Sequence, residues 1–281
     1  MKNLNRLCKG MVSLLLGGFL MTSCQSEDFS GSVQAEEKGT IMLTLNAMEG
    51  FETETKAISD IAYAEYLDVN NYTIEISDLN NRVETSFKYS DRSDRLPYEL
   101  KRGSYTVKAY YGEIYKDRAA SQDGFYVVDA KNINVDSNQE YVSLTCVPVH
   151  ARVETHFDSA MSSYYSDFYV TYSTNALRAK GETVKSNDHP WYLLVDEDGE
   201  EVEATIVLTP KEGYQTGSTA KLTQKYRLKP NQAWTLGIAP NYSATETEGS
   251  VSISITIDDQ TNDVDVPIII PSEWGTEAGE E

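Results

Sequence analysis

Leu100-Lys101-Arg102-Gly103-Ser104-Tyr105-Thr106-Val107-Lys108-Ala109-Tyr110-Tyr111-Gly112 is the stretch that decides the fold. Gly103 lacks a Cβ, so the chain can reverse there with φ > 0. From Tyr105 to Tyr111 the residues are aromatic, β-branched or small on one side and largely polar on the other. That period of two predicts a strand with one buried face, entered through a tight turn.

The same pattern recurs outward in both directions. Alternation predicts strands over Thr40–Leu45, Tyr72–Ser77, Val83–Tyr89, Phe125–Val128, Tyr141–Cys146 and Val149–Phe157. Further strands are predicted over Asp167–Ser173, Trp191–Val195, Val202–Leu208, Lys221–Leu228, Ala233–Ala239, Val251–Ile257 and Val264–Ile270. Only residues 58–68 suggest a short helix, with Ile58, Ile61, Ala62 and Tyr66 near helical spacing. Many short strands separated by turn signals predict an all-β chain of antiparallel β-sandwiches. The 281 residues suit two domains better than one.

Two pairs of segments look alike. The Leu100–Ala109 stretch is similar to Leu228–Ala239, with Gly103 matched to Asn231 and Tyr105 to Trp234. Tyr105 and Trp234 are then expected to plug the same corner of two cores. Tyr72–Ser77 is similar to Phe168–Ser173. Together they predict a tandem repeat with its joint near Pro148, and an insertion in the second copy.

The start of the chain reads differently. Lys2, Arg6 and Lys9 precede an apolar run from Met11 to Met21, which ends at Thr22-Ser23-Cys24. The run is too short to cross a bilayer core as a helix, so residues 1–23 read as a signal peptide. Leu20-Met21-Thr22-Ser23-Cys24 resembles a lipobox, with Met21 where Leu is usual. That resemblance implies cleavage before Cys24 and acylation of its thiol, which would make the membrane a partner through a lipid anchor. The acidic cluster Gln25-Ser26-Glu27-Asp28 resembles the surface-export signal of Bacteroidota lipoproteins. It implies an outer-membrane protein exposed at the cell surface. The expected organisation is 1–23 signal peptide, 24–37 lipidated tether, 38–147 and 148–274 β-sandwich domains, and 275–281 acidic tail.

The lipobox, Thr55-Lys56-Ala57, the Leu100–Gly112 stretch and the second set of strands resemble a Bacteroidota surface lipoprotein family of unknown function. Its layout is similar to that of fimbrillin-like pilus and adhesin proteins. The resemblance implies tandem sandwiches of immunoglobulin or transthyretin-like topology at the cell surface. It implies adhesion or fimbria-like assembly, with other surface proteins or glycans as partners, and carries over no catalytic residue. The alternative it leaves open is a glycan-binding lipoprotein of a nutrient-uptake system.

Charge and side-chain inventory narrow the chemistry. A formal net charge of −20 repels phosphate backbones, which excludes nucleic acid as a partner. Cys146 remains the lone thiol beyond Cys24 and fits a buried strand position. His150 and His156 fall on one face of a predicted strand but about 20 Å apart, so they cannot share a metal. His189 lies in a loop before Pro190. No metal site, cofactor or catalytic residue is expected, and the chain reads as a non-enzyme. Asp196-Glu197-Asp198-Gly199 lacks the closing glutamate of a calcium loop and reads as a hairpin turn. Asp258, Asp259, Asn262, Asp263 and Asp265 read as a solvated turn. Asp158-Ser159-Ala160 resembles an O-glycosylation sequon of Bacteroidota exported proteins, with Ser159 the acceptor. Tyrosine is abundant, with 19 residues against 7 Phe and 3 Trp. Tyr110 and Tyr111 are the candidate ligand-facing aromatics, since aromatic rings stack on sugars and anchor interfaces. The expected final strand, Val264–Ile270, could complete its own domain or be exchanged with another subunit.

Overall fold

The computed structural model describes residues 37–47, 50–52, 57–58, 63–136, 138–212, 219–241, 252–257 and 260–264. Cys24, the Gln25–Asp28 cluster and residues 265–270 of the expected final strand lie outside them. Among the described residues no helix is long and apolar enough to cross a membrane.

In the first half the strands are β1 (Lys38–Asn46), β2 (Phe51–Glu52), β3 (Ala57–Ile58), β4 (Thr73–Asp78), β5 (Val83–Lys88), β6 (Tyr98–Lys101) and β7 (Gly103–Tyr111). They continue as β8 (Ala120–Ser121), β9 (Val127–Val135), β10 (Gln139–Thr145) and β11 (Val147–Pro148). β10, β1 and β6 form one sheet; β11, β9, β7, β4 and β5 form the other, with β7 in the middle. β1 runs parallel to β10 and antiparallel to β6. Alternation puts Ile41, Leu43 and Leu45 of β1 against Ile74 and Ile76 of β4 and Val107 and Ala109 of β7. Each of the Ile, Leu and Val side chains, taken fully out of water, contributes about 1.5–3 kcal/mol, which makes this face the driving term of the sandwich. Cys146 is buried as expected, its thiol donating to the Ala109 carbonyl at 3.3 Å. Burial pushes that thiol up to about 12, so it is neutral and inert.

The second half contains β12 (His150–Phe157), β13 (Tyr165–Ser173), β14 (Val184–Lys185), β15 (Trp191–Leu194), β16 (Glu200–Pro210), β17 (Ala220–Leu228), β18 (Ala233–Asn241), β19 (Ser252–Ile257) and β20 (Gln260–Val264). One sheet runs β20-β19-β18-β12-β15-β8 and the other β14-β13-β16-β17. Val153, Leu236, Ile238, Ile253 and Ile255 face Val170, Val202, Ile206, Leu208 and Leu228 across a second core.

The connectivity repeats. The order β10-β1-β6 matches β18-β12-β15, and β9-β7-β4-β5 matches β17-β16-β13-β14. In both halves the first strand pairs in parallel with the last of its trio and antiparallel with the other. The likeness of Tyr72–Ser77 to Phe168–Ser173 therefore joins equivalent strands, β4 and β13. The likeness of Leu100–Ala109 to Leu228–Ala239 does not. The counterpart of β7 is β16, not β18, so Tyr105 and Trp234 occupy different corners. Tyr105 is buried with its hydroxyl donating to the Lys101 carbonyl, whereas Trp234 lies edge-on to Tyr226. Turn chemistry and two-residue alternation recur at every strand entrance, which is why the two strings looked homologous. With β7 matched to β16, no large insertion is needed.

The same match corrects the Asp196–Gly199 reading. Gly199 does sit in a turn, with φ +83 and its N–H donating to the Asp196 carbonyl at 2.8 Å. The turn is not a hairpin, because β15 and β16 lie in different sheets. It is a corner between sheets, the equivalent of Gly103 between β6 and β7. Three other expectations are corrected. Asn262 and Asp263 belong to β20, paired with Ile255 and Ser254, rather than to a solvated turn. Of the helix expected over 58–68, the described residues hold one turn, α1 (Ala64–Leu67), with Ile58 in β3, while Ile61 and Ala62 lie outside them. The strand expected over Phe125–Val128 begins at Val127 and runs on to Val135.

An aromatic cluster joins the halves. Phe51, Tyr63 and Phe125 from the first half close on Tyr192 of β15, with ring centroids 4.8–6.4 Å apart. Such contacts add about 0.5–1.5 kcal/mol per pair beyond burial. Backbone bonds flank the cluster: Glu52 N–H donates to the Asn231 carbonyl, and Asn231 N–H to the His150 carbonyl. The expected joint near Pro148 is no free linker, since Val147 and Pro148 pair with Val128 and Val127.

Candidate functional site

Tyr66, Tyr110, Tyr111 and Tyr115 gather where β7 leaves its sheet, at the end nearer the second half. Gly112 has φ +74, and a Cβ there would meet the Phe125 carbonyl oxygen at 2.1 Å. The glycine lets β7 turn into the single 3-10 turn Glu113–Tyr115. Gly124 is also closely packed, since a Cβ would meet Tyr66 Oη and Tyr115 Cε2 at 2.6 Å. These two glycines let the rings gather. Tyr66 stacks on Phe125 at 4.0 Å; its hydroxyl accepts from Phe125 N–H and donates to the Phe125 carbonyl. Burial pushes the Tyr66 phenol up to about 12.

Tyr111 stands edge-on to Tyr66 at 5.0 Å, and its hydroxyl donates to Glu65 Oε2 at 2.9 Å. Desolvation and that bonded carboxylate hold its phenol above the ordinary value. Tyr110 points to the other face of β7 and is only 8% exposed, beneath the Lys108 ammonium at 4.9 Å. Tyr111 and Tyr110 therefore offer rims and edges rather than open faces. A groove of about 500 Å³ runs over them, lined also by Lys88, Glu113, Ile114, Tyr115 and Asp123. Ile114 is 71% exposed at its lip, and the Tyr115 ring lies 5.1 Å from the Arg118 guanidinium. Aromatic edges beside carboxylate acceptors suit a ligand that offers several hydroxyl or ammonium donors.

The other sequence-derived candidates are dispersed. Ser159 is exposed in the turn after β12, where Asp158 Oδ1 accepts the Ala160 N–H at 2.8 Å. His150 is buried between the halves: Nδ1 accepts from Tyr126 N–H at 3.4 Å and Nε2 faces the Arg118 carbonyl at 3.3 Å. Desolvation pulls it down to about 4, so it is neutral at pH 7. His156 is exposed, 3.5 Å from Glu154, and His189 is an exposed loop residue. Among the described residues no group of three or more His, Cys, Asp or Glu could hold a metal.

Two buried charges escaped the sequence reading. Arg152, in the middle of β12, is 4% exposed; its Nη2 donates to Glu154 Oε2 at 2.7 Å, while Nε and Nη1 have no hydrogen-bond partner. Glu200, also buried, accepts Asn175 N–H and Asp196 N–H, fastening α2 (Asn175–Lys180) to the corner before β16. Arg152 falls with His150, Glu154 and His156 in the polar set of the β12 alternation, so no local signal marked its burial, and nothing distinguished Glu200 from its acidic neighbours.

A family model described as Domain of unknown function (DUF4493) matches residues 37–272. No curated protein matches the sequence. Among solved structures, the chain is similar to the fimbrial anchor protein Mfa2 from Porphyromonas gingivalis, at 12% identity and a TM-score of 0.40, covering 80% of this chain and 98% of that one. It is similar to a fimbrial assembly protein from Parabacteroides distasonis, at 10% identity and a TM-score of 0.34, covering 82% and 98%. A protein from Bacteroides ovatus assigned provisionally as an adhesin is similar at 10% identity and a TM-score of 0.41, covering 81% and 95%.

Proposed function

The chain belongs to the family described as Domain of unknown function (DUF4493), and we propose that it is a non-catalytic surface lipoprotein that serves adhesion or fimbria-like assembly. In this account diacylglycerol is attached to the Cys24 thiol, the signal peptide is cut off ahead of it, the lipidated N-terminus holds the chain to the outer membrane, and Gln25–Asp28 directs export to the outer face. Residues 38–147 and 148–274 act as two sandwich domains, and Ser159 accepts an O-glycan.

One observation carries the account: the chain enters and leaves the first sandwich at opposite ends, and the second is fixed to the exit. β1 begins at Lys38, level with Lys101 of β6, and ends at Asn46 near the Phe51–Tyr192 cluster. An anchor at Cys24 would therefore hold the entrance end and carry the second half outward. The aromatic joint makes the two halves one stiff spacer, which suits display under load. In cells of the native host, Cys24→Ala is expected to abolish surface labelling and adherence together. Undiminished adherence by that variant would contradict the account.

The groove over Tyr110 and Tyr111 favours a second reading, a glycan-binding lipoprotein. Its carboxylates Glu65, Glu113 and Asp123 suit neutral sugars and disfavour acidic ones. Retardation in gels containing a neutral polysaccharide, lost in Tyr115→Ala, would support it; mobility unaffected by a panel of neutral polysaccharides would exclude it.

A further inference from the structure

Several elements end together where β1 begins. Lys38 pairs with Lys101, Arg102 N–H donates to the Glu37 carbonyl, and Gly103 pairs with Val135. Asp78 pairs with Tyr105, so the β4–β5 hairpin tip, Leu79 to Arg82, projects from this same end. Two exposed aliphatic side chains stand here, Leu79 in the tip at 62% and Val83, the first residue of β5, at 50%. They are held out rather than folded back. Asp78 Oδ1 accepts the N–H groups of Asn80 and Arg82, and Asn81 takes the left-handed conformation at φ +61. The surrounding charges nearly cancel: Lys38 pairs with Glu99, Arg82 with Asp78 and Glu84, and Arg102 with Glu37, one carboxylate in excess. In a chain of net charge −20, this end is close to neutral and is only weakly repelled by anionic headgroups.

We infer that this end of the first sandwich is a membrane-docking face, seated on the lipid surface by Leu79 and Val83. The inference rests on the anchor at Cys24 proposed above. Residues 25–37 separate Cys24 from Lys38, a reach of at most ~45 Å when fully extended. An acylated Cys24 keeps the hairpin tip near the bilayer, where two aliphatic side chains suffice because docking is intramolecular. The occupant of this face is the interfacial region of the bilayer that holds the lipid anchor. Docking would orient the spacer, pointing the second half away from the membrane.

The test uses the full mature lipoprotein in phosphatidylethanolamine–phosphatidylglycerol vesicles. An environment-sensitive fluorophore is placed at Leu79→Cys, or at Ile114→Cys on the opposite end; Cys146 is buried and does not compete for label. Flotation with the vesicles reports the anchor independently of the dye. The expected result is flotation, with brighter, blue-shifted emission at position 79 and aqueous emission at 114. Flotation with aqueous emission at 79, or with equal shifts at both positions, overturns the docking face and leaves the anchor intact. Failure to float overturns both.

Discussion

The Tyr192 hydroxyl of the second half lies 3.4 Å from the Tyr63 hydroxyl of the first, inside a ring cluster that neither half completes alone. Tyr192 comes from the second half yet is buried in the first core. The halves should therefore unfold together. Phe125→Ala opens this cluster and is expected to cost about 3–5 kcal/mol. Differential scanning calorimetry should show one transition in the parent and two in the variant. A single, merely lowered transition would place the cooperativity elsewhere.

The glycines beneath the groove have a measurable role. Gly112→Ala forces a Cβ onto the Phe125 carbonyl at a left-handed φ. It is expected to lower stability by about 1–3 kcal/mol in urea titrations. Gly181→Ala is the control: its φ is also positive, but a Cβ there meets nothing within 4 Å. The difference between the two isolates the close approach from the backbone conformation.

His150 gives a pH dependence of known sign. Its folded pKa is about 4 against an ordinary 6.5, so between these values the unfolded chain binds the extra proton. Stability is unaffected above pH 6.5, falls as pH drops from 6.5 to 4, and levels below that. The full drop is about 3 kcal/mol. Carboxylates titrate nearby, so the measurement is the difference between the parent and His150→Gln in urea melts across that range. A difference that does not change with pH would mean that His150 is not held neutral.

Buried Arg152 pairs with half-buried Glu154, and two of its guanidinium nitrogens lack partners. Replacing both by apolar residues, Arg152→Met with Glu154→Leu, is expected to leave stability unchanged or raise it by about 1–4 kcal/mol. Glu154→Leu alone strands the guanidinium and is expected to lose about 3 kcal/mol. Chemical denaturation of the three proteins checks the ordering.

How far the sequence could be read follows from the range of each signal. β1, β4 and β16 were legible because one face of each is buried, which imposes a period of two. Gly103 and Gly199 announced turns, since a reversal at positive φ needs glycine or a small polar residue. Which strands those turns connect was not legible. Asp198-Gly199 has the same composition at a hairpin as at a corner between sheets, and only the pairing partners of β15 and β16 distinguish them. The repeat was seen through β4 and β13 but misaligned at β7, because a turn followed by alternation marks any strand entrance. The groove was half legible. Tyr110 and Tyr111 were singled out, but the alternation that makes them neighbours in sequence sends them to opposite faces of β7. Their partners Tyr66, Tyr115 and Asp123 reach the groove only through the packing of Gly124 against two phenol rings.

The central claim is that this stiff pair of sandwiches hangs from an acylated cysteine. Intact mass spectrometry of the protein extracted from membranes of its native host tests it most directly. The account predicts a chain that starts at Cys24 and carries the added mass of a diacylglyceryl group and an amide-linked acyl chain. A chain still starting at Met1, or one cleaved elsewhere without lipid, would contradict it.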